Sequence, residues 1–97
     1  MDKKQATEIK VNIAGNERVM SGAYANNVLV HMNREEFVLD FISLFPPNAT
    51  LNARIVVAPA NFKRMMRAMA DSLARYEHEF GELCLPQAPQ QQPVIVQ

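Results

Sequence analysis

A single cysteine, Cys84, occurs among the 97 residues. No disulfide can close within the chain, and a lone thiol fits a reducing compartment. Cys84 lies just past a helical pattern and reads as a small, semi-buried hydrophobe rather than a reactive group. Glycine is scarce too: Gly15, Gly22 and Gly81 are the only three, too few and too scattered to build a phosphate-cradling loop. Ser21, Ser43 and Ser72 lack the glycines of a nucleophile elbow. The two histidines, His31 and His78, stand far apart without ligand-spaced companions, so neither a metal nor a cofactor is expected. Charge of one sign is in no surplus, with ten Lys and Arg against ten Asp and Glu. Such a chain has no global field to draw in nucleic acid or an anionic membrane. No apolar run approaches membrane-spanning length, and Met1–Thr7 does not lead into the apolar stretch of a secretory signal. The expected localisation is cytoplasmic.

What is present is an alternation that gives way to a longer period. The chain is long enough for one domain, expected over 8–85, with a disordered N-terminus at 1–7 and a disordered Pro/Gln-rich tail at 86–97. Within that tail, Val94-Ile95-Val96 forms a small apolar hook to which no structural part is given. Ile9, Val11 and Ile13 alternate with polar residues and predict a first strand, ended by Ala14-Gly15-Asn16-Glu17. A second strand is expected over 23–32 and a third over 36–45, joined by the polar turn Asn33-Arg34-Glu35. Pro46 to Thr50 reads as a loop, and Ala53 to Ala58 as a short fourth strand rich in β-branched residues. From Pro59 the apolar positions Phe62, Met66, Met69, Leu73, Tyr76 and Phe80 follow spacings of 4, 3, 4, 3, 4, which predicts a helix over 59–80 with one apolar stripe. Pro59 suits a first helical position, Ala58 is a poor cap, and Gly81 suits the helix end. The expected fold is α+β: a four-stranded antiparallel meander with the long C-terminal helix packed across one face.

Taken in order, Gly22-Ala23-Tyr24-Ala25-Asn26, Glu36-Phe37-Val38-Leu39-Asp40-Phe41, Ala53-Arg54-Ile55-Val56-Val57-Ala58-Pro59, Tyr76-Glu77 and Phe80-Gly81 resemble a bacterial family of small proteins, domain-of-unknown-function family 3467. The resemblance runs over about residues 8–83. Where the family often has a serine before the proline, this chain has Ala58, which touches the helix cap and not the fold. The family carries no established activity, so the resemblance implies no catalytic residues. In architecture alone, antiparallel strands followed by a long helix resemble the protomer of SecB-type export chaperones, which hold unfolded chains as oligomers.

Two constellations invite a functional reading. Glu35, Glu36 and Asp40 are close in sequence, but a hairpin turn ordinarily carries solvated carboxylates, and Asp40 reads as the ion-pair partner of an arginine such as Arg54 or as an edge residue opposing aggregation. Nothing in the sequence points to an enzyme. Lys63, Arg64 and Arg67 cluster at the helix start and form a candidate anion-binding site for phosphate or nucleic acid. Against this, Arg67, Asp71, Arg75 and Glu79 recur every four residues as an alternating ladder on the polar face. The helix is also basic in its first half and acidic at its end, opposing its own dipole.

The third strand places Phe37, Leu39, Phe41 and Phe45 on one side and Val38, Ile42 and Leu44 on the other. One helix can cover one face, so Val38, Ile42 and Leu44 form the candidate oligomer interface, with the chain itself as first partner. The expected function is that of a non-enzymatic oligomeric interaction protein, a candidate binder of peptides or unfolded chains. Phosphate or nucleic-acid binding through Lys63, Arg64 and Arg67 is the alternative.

Overall fold

The structure, a computed structural model, describes residues 8–86. The expectations for residues 1–7 and for the tail from 87 onward, including Val94-Ile95-Val96, lie outside the described residues. In chain order the elements are a short helix α1 (Glu17–Met20), strands β1 (Asn27–Met32), β2 (Phe37–Phe45) and β3 (Asn48–Val57), and a long helix α2 (Pro59–Phe80). The strands form an antiparallel meander in the order β1-β2-β3. Its hairpins follow from local chemistry. In the first, Asn33 accepts the Glu35 and Glu36 N–H groups on its side-chain oxygen at 2.8 and 3.0 Å, while its own N–H donates to the Glu36 carbonyl. A short polar side chain thus does the work of backbone partners within the turn.

The second hairpin is tighter than its sequence implies. Pro46 and Pro47, joined by a cis bond, make the whole turn, and Phe45 pairs with Asn48 directly across it. The segment Asn48–Ala53, read as loop and strand start, is therefore strand from its first residue. Two consecutive prolines cannot donate to a ladder, so pairing stops on one side of them and resumes on the other.

Three expectations are corrected. Among the described residues the sheet has three strands, not four: residues 8–13 form no strand, and Ile9, Val11 and Ile13 are exposed. Alternation records which face of a segment is apolar; it cannot supply a neighbouring edge. Asn16, read as part of a turn, instead caps α1 by accepting the Val19 N–H at 2.8 Å. The third correction concerns α2. It has the expected bounds, its uncapped start at Ala58 and its end at Gly81 with φ 101°, but it does not lie across the sheet. It contributes no buried residue and makes no packing with any strand comparable to that between the strands. One tie to the sheet is Phe62, whose ring stacks on Phe37 at 4.0 Å and 5° between planes.

The core is consequently small and lies within the sheet: Leu39 at 4 % exposure and Ile42 at 5 % on the central strand. Leu39→Ala should lower stability by about 2–5 kcal/mol, because a side chain hemmed in by two neighbouring strands leaves a cavity that the ladder cannot close. Urea unfolding followed by circular dichroism checks this. An unchanged midpoint would mean that β2 is not the centre of the folded unit.

Candidate interaction surface

Register determines which side chains share a face. On one side of the sheet, Phe37, Leu39 and Phe41 of β2 lie opposite Met32, Val30 and Val28 of β1, and opposite Val57, Ile55 and Ala53 of β3. These nine positions are all apolar. Phe62 covers the Phe37 corner, yet Val28, Val30, Met32 and Ile55 stay exposed, Met32 at 74 %. This phenylalanine face is a continuous apolar patch beside a helix whose own apolar stripe is also in solvent. Met66, Met69, Leu73 and Tyr76 are all exposed to about half their surface, between 46 % and 51 %.

The opposite face has another character. Asp40, only 5 % exposed, sits across from Arg54. The guanidinium grips the carboxylate with two bonds, Nε to Oδ1 at 2.7 Å and Nη2 to Oδ2 at 2.9 Å. His31 approaches Oδ2 from β1 at 3.5 Å. Arg54 is one of the partners the sequence offers for Asp40, and the other reading, an edge residue, does not hold because β2 is the central strand; the place of His31 beside the pair emerges only from register. Arg54's hydrogen bonds hold the Asp40 carboxyl below the usual aspartate range, against the opposing pull of burial, and the pair in turn raises the Arg54 guanidinium.

Val38, Ile42 and Leu44, the expected interface, do share this second face. Ile42, however, is buried within the chain, Val38 and Leu44 are half-buried, and the Asp40–Arg54 pair stands between Val38 and Ile42. The basic trio Lys63, Arg64 and Arg67 is exposed on the first turns of α2, with Arg64 donating to the Asn61 side chain. In the ladder further along, no two of Arg67, Asp71, Arg75 and Glu79 come within ion-pair distance, and Arg75 donates instead to Ser72 Oγ at 3.3 Å.

Asparagines shape the far end of the sheet in a way composition does not reveal. Asn26 donates its backbone N–H to the Ile42 carbonyl, then uses its side chain both to accept the Leu44 N–H at 2.8 Å and to donate to the Leu44 carbonyl at 3.1 Å. Its amide imitates the next residue of a strand. The ladder of β2 and β3 shifts register between Phe41 and Ile42, leaving Asn52 as the extra residue of a bulge. Asn52 spends its side chain on the Tyr24 carbonyl and Ser43 Oγ. These contacts fasten residues 24–26 to the sheet, beside an open hollow lined by Ala25, Asn26, Asn27, Val28 and Phe41 that offers no titratable group. Among the described residues no three His, Cys, Asp or Glu side chains converge, and no helix is long and apolar enough to cross a membrane.

A paired carboxylate of this kind links stability to pH. Because the folded state holds the Asp40 pKa below its unfolded value of about 3.9, the pair's contribution is complete above that value and is lost as pH falls through the folded pKa. In Arg54→Gln the Asp40 pKa should rise toward the ordinary range, and the acid limb of stability attributable to this residue should shrink. Carboxyl chemical shifts followed through a pH titration give the answer; an Asp40 pKa that does not move would show that Arg54 is not the group holding it down.

Residues 1–85 match the family model described as "Protein of unknown function (DUF3467)". No curated protein and no solved structure matches the chain, and nothing in these comparisons carries the architectural likeness to SecB-type chaperones.

Proposed function

The chain belongs to the DUF3467 family, and from that premise we propose that it is a non-enzymatic interaction protein that works as an oligomer and binds other polypeptides through exposed apolar surface. One observation carries the reading: the phenylalanine face and the α2 stripe are both apolar and both largely in solvent. Half-exposed Val, Ile, Leu and Met side chains forgo a substantial part of the roughly 1.5–3 kcal/mol that each gains on full burial. Contiguous patches of this kind mark meeting surfaces. Two further features serve the same end. Among the described residues both β1 and β3 are edge strands, able to accept an added strand, and residues 8–13 offer the exposed Ile9, Val11 and Ile13 at alternate positions. The oligomer contact is assigned first to the phenylalanine face and the helix stripe. Val38 and Leu44 add a smaller share on the other side, since Ile42 has little surface left to give.

Anion binding is the second reading, favoured by three exposed cations on a helix start that no side chain caps. Salt separates the two. A binder of apolar segments should suppress the aggregation of a chemically denatured client protein and keep doing so at high salt. A nucleic-acid binder should lose affinity steeply as salt rises. The double variant Arg64→Gln, Arg67→Gln should leave aggregation suppression intact and weaken only the second activity. No suppression at any salt concentration would sink the polypeptide-binding reading.

A further inference from the structure

We infer that the surface covering the α2 stripe is α2 of a second copy, laid antiparallel across a two-fold axis level with Asp71. This rests on the oligomer reading above and specifies its geometry. The stripe follows the heptad spacing of a coiled coil: Phe62, Met69 and Tyr76 hold one core position, and Met66, Leu73 and Phe80 the other. An antiparallel pair puts residues of the first kind against residues of the second. About a centre at Asp71 the inner layers close: Met69 meets Leu73 of the second copy and Met66 meets Tyr76, while Phe80 comes level with Phe62, whose ring is stacked on Phe37 of its own chain. No core position is left facing a charge. The stripe residues beyond Phe62 supply on the order of 500 Å² of apolar surface per protomer at typical side-chain areas, a large part of the roughly 800 Å² per partner in a standard interface.

Charge selects the direction. In this register the flanking positions on one side of the core are Lys63, Ala70 and Glu77, which bring Lys63 against Glu77 of the second copy at both ends and the small Ala70 against itself near the axis; those on the other side, Met65, Ser72 and Glu79, set Glu79 beside Met65 and bring no like charges together. Lys63 and Glu77 cannot satisfy each other within one helix, being about 21 Å apart along it at roughly 1.5 Å per residue. In a parallel pair the like-charged ends would lie side by side. The antiparallel arrangement also answers the odd polarity of α2, basic at its uncapped start and acidic near its end, because each end then lies beside a helix end of opposite dipole and opposite side-chain charge. Glu77 is held for this role at one oxygen, its Oε2 accepting the Leu83 N–H at 3.0 Å.

Cysteine pairing in a Cys84→Ser background tests the register. Met66→Cys mixed with Tyr76→Cys should form a cross-linked dimer on mild oxidation, while neither variant alone should do so, its two copies of the same position lying roughly 15 Å apart along the axis. Self-linking of Met66→Cys alone would mean a parallel pair and overturn the inference. Charge exchange gives a second measurement that does not disturb the core: Lys63→Glu should weaken self-association about tenfold, and Lys63→Glu with Glu77→Lys should restore it. Light scattering coupled to size exclusion on the unaltered chain separates the levels. A mass near twice the 10.9 kDa subunit is expected. A monomer at micromolar concentration would overturn both the pairing and the oligomer reading. An oligomer that shows no Met66–Tyr76 cross-link and no response to Lys63→Glu would overturn the helix pairing alone.

Discussion

Strand β2 is apolar on both faces, and the rest of the structure answers to that constraint. A central strand flanked on both sides by others can bury its own Leu39 and Ile42 through cross-strand contacts. It cannot bury the neighbours that do the covering. Val28, Val30, Met32 and Ile55 shield Leu39 and are themselves left in water. A single three-stranded layer has no second layer to close against, and α2 supplies one only at the Phe37 corner. Compact domains are ordinarily built of at least two packed layers; here the described chain provides little more than one and leaves apolar surface on both the sheet and the helix.

The two faces of the sheet have divided their work. On one, a polar cluster is satisfied within the chain: the buried Asp40 is held by two hydrogen bonds from the more exposed Arg54, with His31 alongside. A buried carboxylate without such a partner would oppose folding, and its location on the central strand ties β2 to β3 in one register, since a slip of one residue would move Asp40 to the other face. The other face has no polar group at the nine positions from Val28 to Val57. That asymmetry separates a side specified by an ion pair from a side specified by shape and apolar area, the one to which the proposed function gives a partner.

The asparagines show how little side chain is needed to finish such a sheet. Asn26 extends the β1–β2 ladder with its amide, Asn33 closes the first hairpin, and Asn52 turns a register shift into an anchor for residues 24–26. Each replaces a backbone partner with a side-chain one, where the chain bends out of regular pairing. They account physically for Asn26 in the run Gly22–Asn26 and for the course of the strand that ends in Ala53–Pro59.

Local chemistry was enough for the parts of this protein that depend on near neighbours. The bounds of α2 could be read from Pro59, the 4-3 spacing of the stripe and Gly81. The β1–β2 hairpin was legible in Asn33-Arg34-Glu35, and the pairing of Asp40 with Arg54 in an acid placed among apolar residues on one strand with a basic residue on the next. What required the tertiary structure was every question of what lies against what. Residues 8–13 alternate as a strand does yet find no edge, because periodicity describes a face and not its neighbour. The apolar stripe of α2 specifies a helix that needs cover, but the same stripe serves equally well against a sheet of its own chain or a helix of another. Only the course of the chain after Phe62 removes the first of these, by carrying Met66, Met69, Leu73 and Tyr76 away from the strands and into solvent.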